Sequence, residues 1–296
     1  MSRDINARCP SKYPHGTVAM GKGTETVVKS NALIQAGYRL TLAEQRVMLS
    51  AITQIRRDEP ATDEKVYSVE ANALADVSGT SARRAYQELA EAAERLYRRE
   101  VRIVGGANGD SEGSEGRRVT MTRWVQEITY VRDEGRVEMR FARAILPYLS
   151  TLREQFTSYQ LRYVALMRST HGIRLYELLA QWRQTGEREI ELDDLRRMFG
   201  IEGQYSAVKD LRRRVIEPAV KDVNEHSDLL VRYGQRKAGR RVVAFQFQFA
   251  PKDGKQQQRR LTKDEIERLV KEKAKPGESY EDAKKRVLLE LRQKPS

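Results

Sequence analysis

The sequence predicts an α+β protein with two tandem winged-helix domains, each a helix-turn-helix followed by a β-hairpin, between a flexible N-terminal arm and a helical C-terminal tail. Three patterns predict this class. The order of predicted elements, helices and then strands, occurs in the first half of the chain and again in the second. Apolar residues recur at helical spacing in several segments. Near residue 250, Phe245, Phe247 and Phe249 alternate with glutamines, which is typical of a half-buried strand.

Length and composition set the domain organisation. The 296 residues suit two domains of about 100–150 residues each. Residues 1–29 contain scattered Pro and Gly with little periodicity and are interpreted as the arm. Residues 30–145 are predicted as the first winged-helix domain, 146–250 as the second, and 251–296 as a charged tail with two helices. For the tail, docking on the body and binding of a partner both stay open.

The first domain is predicted to alternate helices with strands before a hairpin. Its helices are expected near residues 42–55, at Ala71–Val77 before Gly79, and at Ser81–Arg98. Its strands are expected at Val66–Val69, Val101–Val104, Val119–Tyr130 and Arg136–Phe141, with a flexible glycine-rich loop at 105–116.

The second domain is predicted to follow the same plan. Helices are expected at Ser158–Arg168, Ile173–Gln184, Asp193–Phe199 and Ser206–Glu225, and a hairpin at Leu229–Tyr233 and Val242–Phe249. Pro218 lacks a backbone donor and is expected to kink the long helix, which leaves its N-terminal half straight.

The charge of the chain indicates a polyanionic partner. Lys and Arg number 55 against 42 Asp and Glu, a formal net charge of +13. Residues 31–150 carry no net charge, whereas residues 151–250 and 251–296 each carry +5. Two basic clusters, residues 212–214 and 236–241, flank one predicted helix-to-strand unit. Either cluster alone is equally typical of a solvated face.

The long helix of the second domain has one face suited to DNA. At 100° per residue, Val208, Leu211, Val215 and Ala219 share the core side. The residues on the outer side and flanks are predicted to contact DNA, because a recognition helix presents such positions to base edges in the major groove. They are Ser206, Lys209, Asp210, Arg213 and Arg214, with Arg212 nearer the core edge.

Two further sets of residues are candidates for DNA contact. The predicted hairpin tip suits backbone or minor-groove contacts and carries Arg236, Lys237, Arg240 and Arg241. On the Ser81–Arg98 helix, the side opposite the apolar stripe carries Thr80, Ser81, Arg83, Arg84 and Gln87. An ordinary solvated surface is the alternative interpretation of this second set.

No pattern indicates an enzyme, a cofactor or a metal. Gly16–Lys22 resembles a nucleotide-binding loop but lacks the Ser/Thr and the flanking strand and helix, and Gly109–Gly113 matches G-x-S-x-G in the wrong context. The three histidines are far apart, and Cys9 is the only cysteine. No apolar run is long enough to span a membrane, so a cytoplasmic protein is expected.

Three stretches resemble one family. They are Asn31–Arg46 (NALIQAGYRLTLAEQR), Phe156–Tyr159 followed by Ile173–Leu179, and the RRRVIEPAVKDVNEHSDL core within Val208–Val231 followed by Lys237–Arg241. Together they resemble the iteron-binding plasmid replication initiators over about residues 30–250. The arm, the tail and the 105–116 insert lie outside the resemblance.

The resemblance implies a non-enzymatic initiator whose two domains bind successive major grooves of direct repeats (iterons) in double-stranded DNA. Monomers would open adjacent A·T-rich DNA and recruit the host replication initiator and the replicative helicase. Homodimers formed through the first domain would bind an inverted operator repeat and repress the gene. Base-reading residues would be Asp210, Arg213 and Arg214, with Thr80, Ser81, Arg83 and Arg84 in the first domain. A pure transcriptional repressor and a strand-cleaving replication protein stay open as alternatives.

Overall fold

The computed structural model describes residues 25–109, 118–252 and 280. The chain divides into two compact units, Met1–Lys252 and Asp253–Ser296, and apart from Tyr280 the second unit lies outside the described residues. The predictions for residues 1–24, for residues 110–117 of the glycine-rich loop and for the tail helices therefore also lie outside them.

The first winged-helix motif, residues 42–141, has the order helix, strand, helix, helix, strand, strand, with an extra hairpin inserted after its third helix. Its elements are α2 (Leu42–Ile52), β2 (Tyr67–Glu70), α3 (Ala71–Ser78), α4 (Ala82–Leu96), the inserted β3 (Glu100–Val104) and β4 (Val119–Arg123), then β5 (Val125–Val131) and β6 (Arg136–Phe141). Before it lie β1 (Thr26–Ser30) and α1 (Asn31–Ile34).

The second motif, residues 170–251, repeats that order without the insert. Its elements are α6 (Thr170–Ala180), β8 (Glu187–Glu191), α7 (Leu192–Phe199), α8 (Val208–Leu211), a π-helical turn (Arg212–Ile216), α9 (Glu217–His226), β9 (Leu229–Ala238) and β10 (Arg241–Pro251). Between the motifs lie β7 (Phe156–Gln160) and α5 (Arg162–Ala165).

The two motifs share one sheet topology, which confirms the tandem winged-helix prediction. Each has a three-stranded antiparallel sheet whose first strand pairs with its last, in the orders β2-β6-β5 and β8-β10-β9. In each, the helix-turn-helix follows the first strand and the hairpin follows the second helix. The shared hydrophobic core is continuous from Val27 to Phe249, so the two motifs pack as one body.

Strand β1 corrects the prediction of an arm over residues 1–29. Thr26–Ser30 pairs antiparallel with Phe156–Gln160, which also corrects the helix predicted from Ser158. Burial alternates in β7, where Thr157 and Tyr159 are buried. The sequence pattern does not predict β1, because one of its inward-facing side chains is Lys29, and lysine is rarely buried without a partner.

Three further element predictions need correction. The predicted strand Val119–Tyr130 is two strands of different sheets, separated at the buried Trp124. Strand β8 was not predicted, because four of its five residues are charged and Ile190 is its only apolar residue. The long helix begins after Ala207 rather than at Ser206, and it changes to a π-helical turn directly before Glu217 and Pro218, where a kink is predicted.

A buried polar cluster ties the segment that precedes the first motif to the second motif. The Arg174 guanidinium on α6 donates through Nη2 to three backbone carbonyls, Ile34 at 2.9 Å, Ala36 at 2.8 Å and Met198 at 2.9 Å. Its Nη1 donates to the Tyr38 hydroxyl and to the Glu177 carboxylate. These acceptors come from both sides of the junction, so one side chain fixes α1, its following loop and α7 against α6.

Glu177 balances the charge of this cluster. Its carboxylate accepts hydrogen bonds from Lys29 Nζ and the Tyr159 hydroxyl, both at 2.5 Å, and all of these groups are buried. Burial would raise the pKa of Glu177, but Lys29 and Arg174 more than offset it and hold this pKa below its ordinary value. The carboxylate is therefore charged at neutral pH, as the two buried cations require.

Candidate nucleic-acid interface

A glycine turn in the second motif sets the direction of its second helix. Helix α7 ends at Gly200, whose φ of 63° lies in the left-handed region, and the Gly200 amide donates to the carbonyl of Arg197. A Cβ at this position would lie 2.7 Å from the Tyr38 carbonyl oxygen. Both the conformation and the space therefore require glycine here.

The helix over residues 208–226 buries the side that the sequence predicts. Leu211, Val215 and Ala219 are fully buried and Val208 is partly buried. Ile216 is also fully buried, which spacing in an ideal α-helix did not predict. The opposite side faces solvent, so this helix has the arrangement that a recognition helix needs.

The predicted DNA-contact residues on this helix differ in their surroundings. Arg213 is 61% exposed, and its Nη2 lies 3.6 Å from the Asp210 carboxylate. Lys209 and Arg214 are exposed and form no ion pair with any residue in the described ranges. Arg212 is less exposed, and its Nε lies 3.2 Å from Glu217 Oε1.

Ser206 lies just before the helix. It is exposed. Because the helix is capped at Ala207, the Ser206 side chain does not belong to the helical face on which the sequence placed it.

The hairpin of β9 and β10 separates the predicted wing residues into two groups. Lys237, Arg240 and Arg241 are exposed at its tip, without ion pairs to the part of the chain that the structure describes. Arg236 instead lies on the outer face of the sheet, with Nε 2.7 Å from Glu189 and Nη2 3.4 Å from Glu191. The structure therefore brings three of the four basic side chains together at the tip.

The corresponding helix of the first motif is α4. Ser81 is its N-cap and accepts from the Arg84 amide, and the Thr80 hydroxyl accepts from Ser78. The Arg84 guanidinium lies 2.8 Å from Glu88, whereas Arg83 is exposed and has no ion pair within the described ranges.

Gln87 on α4 is placed differently from the other candidates of the first motif. It is exposed and lines a groove between α4 and β5, together with Tyr86, Ile128 and Tyr130. Because Arg84 is paired with Glu88, Arg83 is the candidate cation of the first motif that is most available for an anionic ligand.

The described residues contain neither a metal-binding group nor a membrane-spanning helix. Among them, no three His, Cys, Asp or Glu side chains are grouped so that they could hold a metal ion. None of the described helices combines the length and apolarity that a bilayer crossing requires.

Comparisons with known proteins agree with this geometry. Residues 26–180 match the family model described as "Initiator Replication protein, WH1", and residues 191–249 match "Initiator Rep protein, WH2". The first match alone covers more than half of the chain. The chain belongs to this family of initiator replication proteins.

Two of the curated relatives of this chain come from Escherichia coli. A "Replication initiation protein" is 29% identical over 210 residues, which cover 69% of this chain and 63% of the relative. The "PI protein" is 23% identical over 245 residues, which cover 74% of this chain and 80% of the relative. The match therefore spans less than two thirds of the first relative's length.

Among solved structures, this chain is similar to the Pi initiator protein crystallised in complex with iteron DNA. The two share 20% sequence identity with a TM-score of 0.65, over 79% of this chain and 100% of that chain. At this identity the likeness shows the fold.

Proposed function

We propose that this initiator binds direct repeats in double-stranded plasmid DNA through both winged-helix motifs and starts replication there in the bacterial cytoplasm. One observation carries the proposal. The two helix-turn-helix motifs share one hydrophobic core, and the second motif presents Asp210, Arg213 and Arg214 beside a basic wing tip. A pair of rigidly linked recognition helices suits two successive major grooves of one duplex.

Base reading and backbone contact are assigned to different residues. Arg213 and Arg214 are proposed to donate to guanine edges, and Asp210 to accept from cytosine or orient Arg213. Lys209 and the wing-tip residues Lys237, Arg240 and Arg241 are proposed to neutralise phosphates, which positions the protein without selecting a sequence. In the first motif, Arg83 is the proposed leading contact.

Assembly of a replication complex is the finer part of the proposal. As implied by the family resemblance, monomers would open the adjacent A·T-rich DNA and recruit the host replication initiator and the replicative helicase. Dimers would repress the gene. Among the described strands, β5 is an edge strand paired with β6 alone, and its other side has backbone groups that a second copy could pair with. This edge supports a homodimer formed through the first motif.

Binding and initiation are tested separately. Purified full-length protein is used to select duplexes from a random pool, and its affinity for the selected duplex is compared with that for a random duplex. In the second test, the gene with its flanking DNA is cloned into a plasmid that lacks its own origin, and maintenance of that plasmid in cells is measured. Selective binding with plasmid maintenance supports an initiator, whereas selective binding without maintenance indicates a repressor only.

The strand-cleaving alternative has its own test. Supercoiled plasmid carrying the selected repeats is incubated with the protein and magnesium, and the products are separated by electrophoresis. Unchanged supercoiled DNA is expected. A nicked product that depends on the repeats would contradict a non-enzymatic role.

A further inference from the structure

The recognition helix of the second motif contains a π-helical turn at its three arginines. Arg212–Ile216 adopts this turn between two α-helical segments. Residues five apart lie about 140° apart around an α-helix, whereas a π turn, with its i→i+5 hydrogen bonds, brings them to one face. Leu211 and Ile216 are five residues apart, and both are fully buried. The core packing of this helix therefore depends on the π turn.

Pro218 accounts for the location of the turn. It lies at the second position of the segment Glu217–His226, directly after the π turn. In a continuous α-helix its ring would clash with the carbonyl of Arg214, four residues earlier, and that carbonyl would have no N–H to accept from. The π turn accommodates this proline, and it does so where the arginines lie.

An ion pair spans the same turn and is tied to the wing. Arg212 Nε and Glu217 Oε1 are 3.2 Å apart, and the π register brings these two residues, i and i+5, to one side of the helix. The Tyr233 hydroxyl on β9 donates to the same Oε1 at 3.2 Å. The Tyr233 ring packs against Phe245 and Phe247 of the sheet. Arg212, Glu217 and Tyr233 thus form one bridge from recognition helix to wing strand.

The proposed DNA-binding role of this helix is the basis for a more specific inference. We propose that Glu217 and Tyr233 are positioning residues for base recognition. By holding Arg212 along the helix, they leave Arg213 and Arg214 as the arginines presented to DNA, and they fix the rotation of the helix against the wing. Arg212, predicted from sequence as a DNA contact, acts in this arrangement through Glu217.

Glu217→Gln tests the inference, because the amide keeps the shape of the side chain and removes its charge. The freed Arg212 would add about one phosphate contact, so the slope of log affinity against log salt should steepen by about one unit. Affinity for random duplex should rise, and the ratio of selected to random affinity should fall about tenfold. Tyr233→Phe should lower that ratio by a smaller factor, with the fold retained because its hydroxyl is exposed.

Two variants separate positioning from simple charge. Glu225→Gln removes the same charge from the same helix, at a carboxylate 3.7 Å from Lys221 and outside the bridge. It should shift the salt slope and the selectivity less than Glu217→Gln. In the double variant Arg212→Gln/Glu217→Gln, the slope should return to the wild-type value, because the added contact comes from Arg212.

The outcomes distinguish this inference from the proposed function. Equal effects of Glu217→Gln and Glu225→Gln, or a steepened slope that persists in the double variant, would overturn the positioning role. Wild-type protein that does not prefer any selected duplex over random DNA would instead overturn the proposed function, on which this inference rests. Circular dichroism of each variant at the assay temperature shows that the helices are retained.

Discussion

At the level of single residues, exposure and ion pairs distinguish the basic side chains of the second motif that are proposed to read bases from Arg236. Arg213 and Arg214 point to solvent from the recognition helix, whereas Arg236 is paired with Glu189 and Glu191. The sequence predicted the exposed side of the helix, because helical spacing alone determines it. It did not predict the pairing of Arg236, because that depends on the unrecognised strand β8.

Arg213→Ala should weaken binding to the selected duplex by about 1–3 kcal/mol and relax the base preference at one position. The loss follows from a guanine edge left without its donor. Lys221→Ala is the matched control, since Lys221 is an exposed cation on the same helix beyond the π turn. Affinities measured on selected and random duplexes check this; equal losses on both would remove Arg213 from base reading.

Lys237→Ala should lower affinity for every duplex and make the salt slope shallower by about one unit, as expected for one lost phosphate contact. Arg236→Ala is the comparison at the neighbouring position and should change the slope less, because Arg236 is already neutralised by two glutamates. Titrations at three or more salt concentrations give both slopes. A slope for Lys237→Ala that matches the wild type would place this side chain away from DNA.

His171 should make the fold sensitive to mild acid. Its ring stacks on Phe199, and burial, followed by the charges of Arg39 and Arg174, lowers its pKa from 6.5 to about 4. Because the folded pKa is depressed, the unfolded chain binds the proton first, and stability falls as pH drops from about 6.5 towards 4. The contribution at pH 5 is a loss of about 2 kcal/mol relative to neutral pH.

Urea unfolding of wild type and His171→Phe at pH 7.5 and pH 5 measures this term. The variant keeps an aromatic ring against Phe199 and cannot titrate. The difference in unfolding free energy between the two pH values should therefore be smaller in the variant by about 2 kcal/mol. The same pH dependence in both proteins would exclude His171 as its source.

At the level of elements, the sequence identified most helices and hairpins but not the strands that join the two motifs. Helices such as Ala82–Leu96 carry a clear apolar stripe and a capping serine. Strands β1 and β7 are stabilised by each other, 130 residues apart along the chain, and by a buried charge cluster that no local pattern reveals. Ile190 is the only apolar residue of strand β8, and the other four residues are charged.

Glu177→Gln should destabilise the junction strongly. The substitution leaves Lys29 and Arg174 buried without a counter-charge, and breaking a buried ion pair typically costs 3–5 kcal/mol, so we expect a loss of about that size. Glu225→Gln, in an exposed pair with Lys221, should cost less than about 1 kcal/mol. Denaturant unfolding at pH 7.5 compares the two; similar values would mean that the cluster does not stabilise the junction.

At the level of the whole molecule, the central claim is that two winged-helix motifs act as one rigid DNA-binding body. The sequence predicted the duplication from the order of elements. It could not predict how the motifs are joined, because they share a core assembled from distant segments. The segment before the first motif is also held to the second by three backbone carbonyls, a tyrosine and a glutamate that converge on Arg174. The sequence predicted a kink at Pro218 but not that the helix accommodates this proline with a π turn.

Selection of binding sites from a random duplex pool by the full-length protein tests this claim most directly. The account predicts two conserved base blocks about 10–10.5 base pairs apart, one helical turn, because each motif enters one major groove. Arg213→Ala should weaken the base preference within one block and Arg83→Ala that within the other, and the spacing between the blocks should not change. A single conserved block, or two blocks at variable spacing, would contradict a rigid body with two DNA-reading helices.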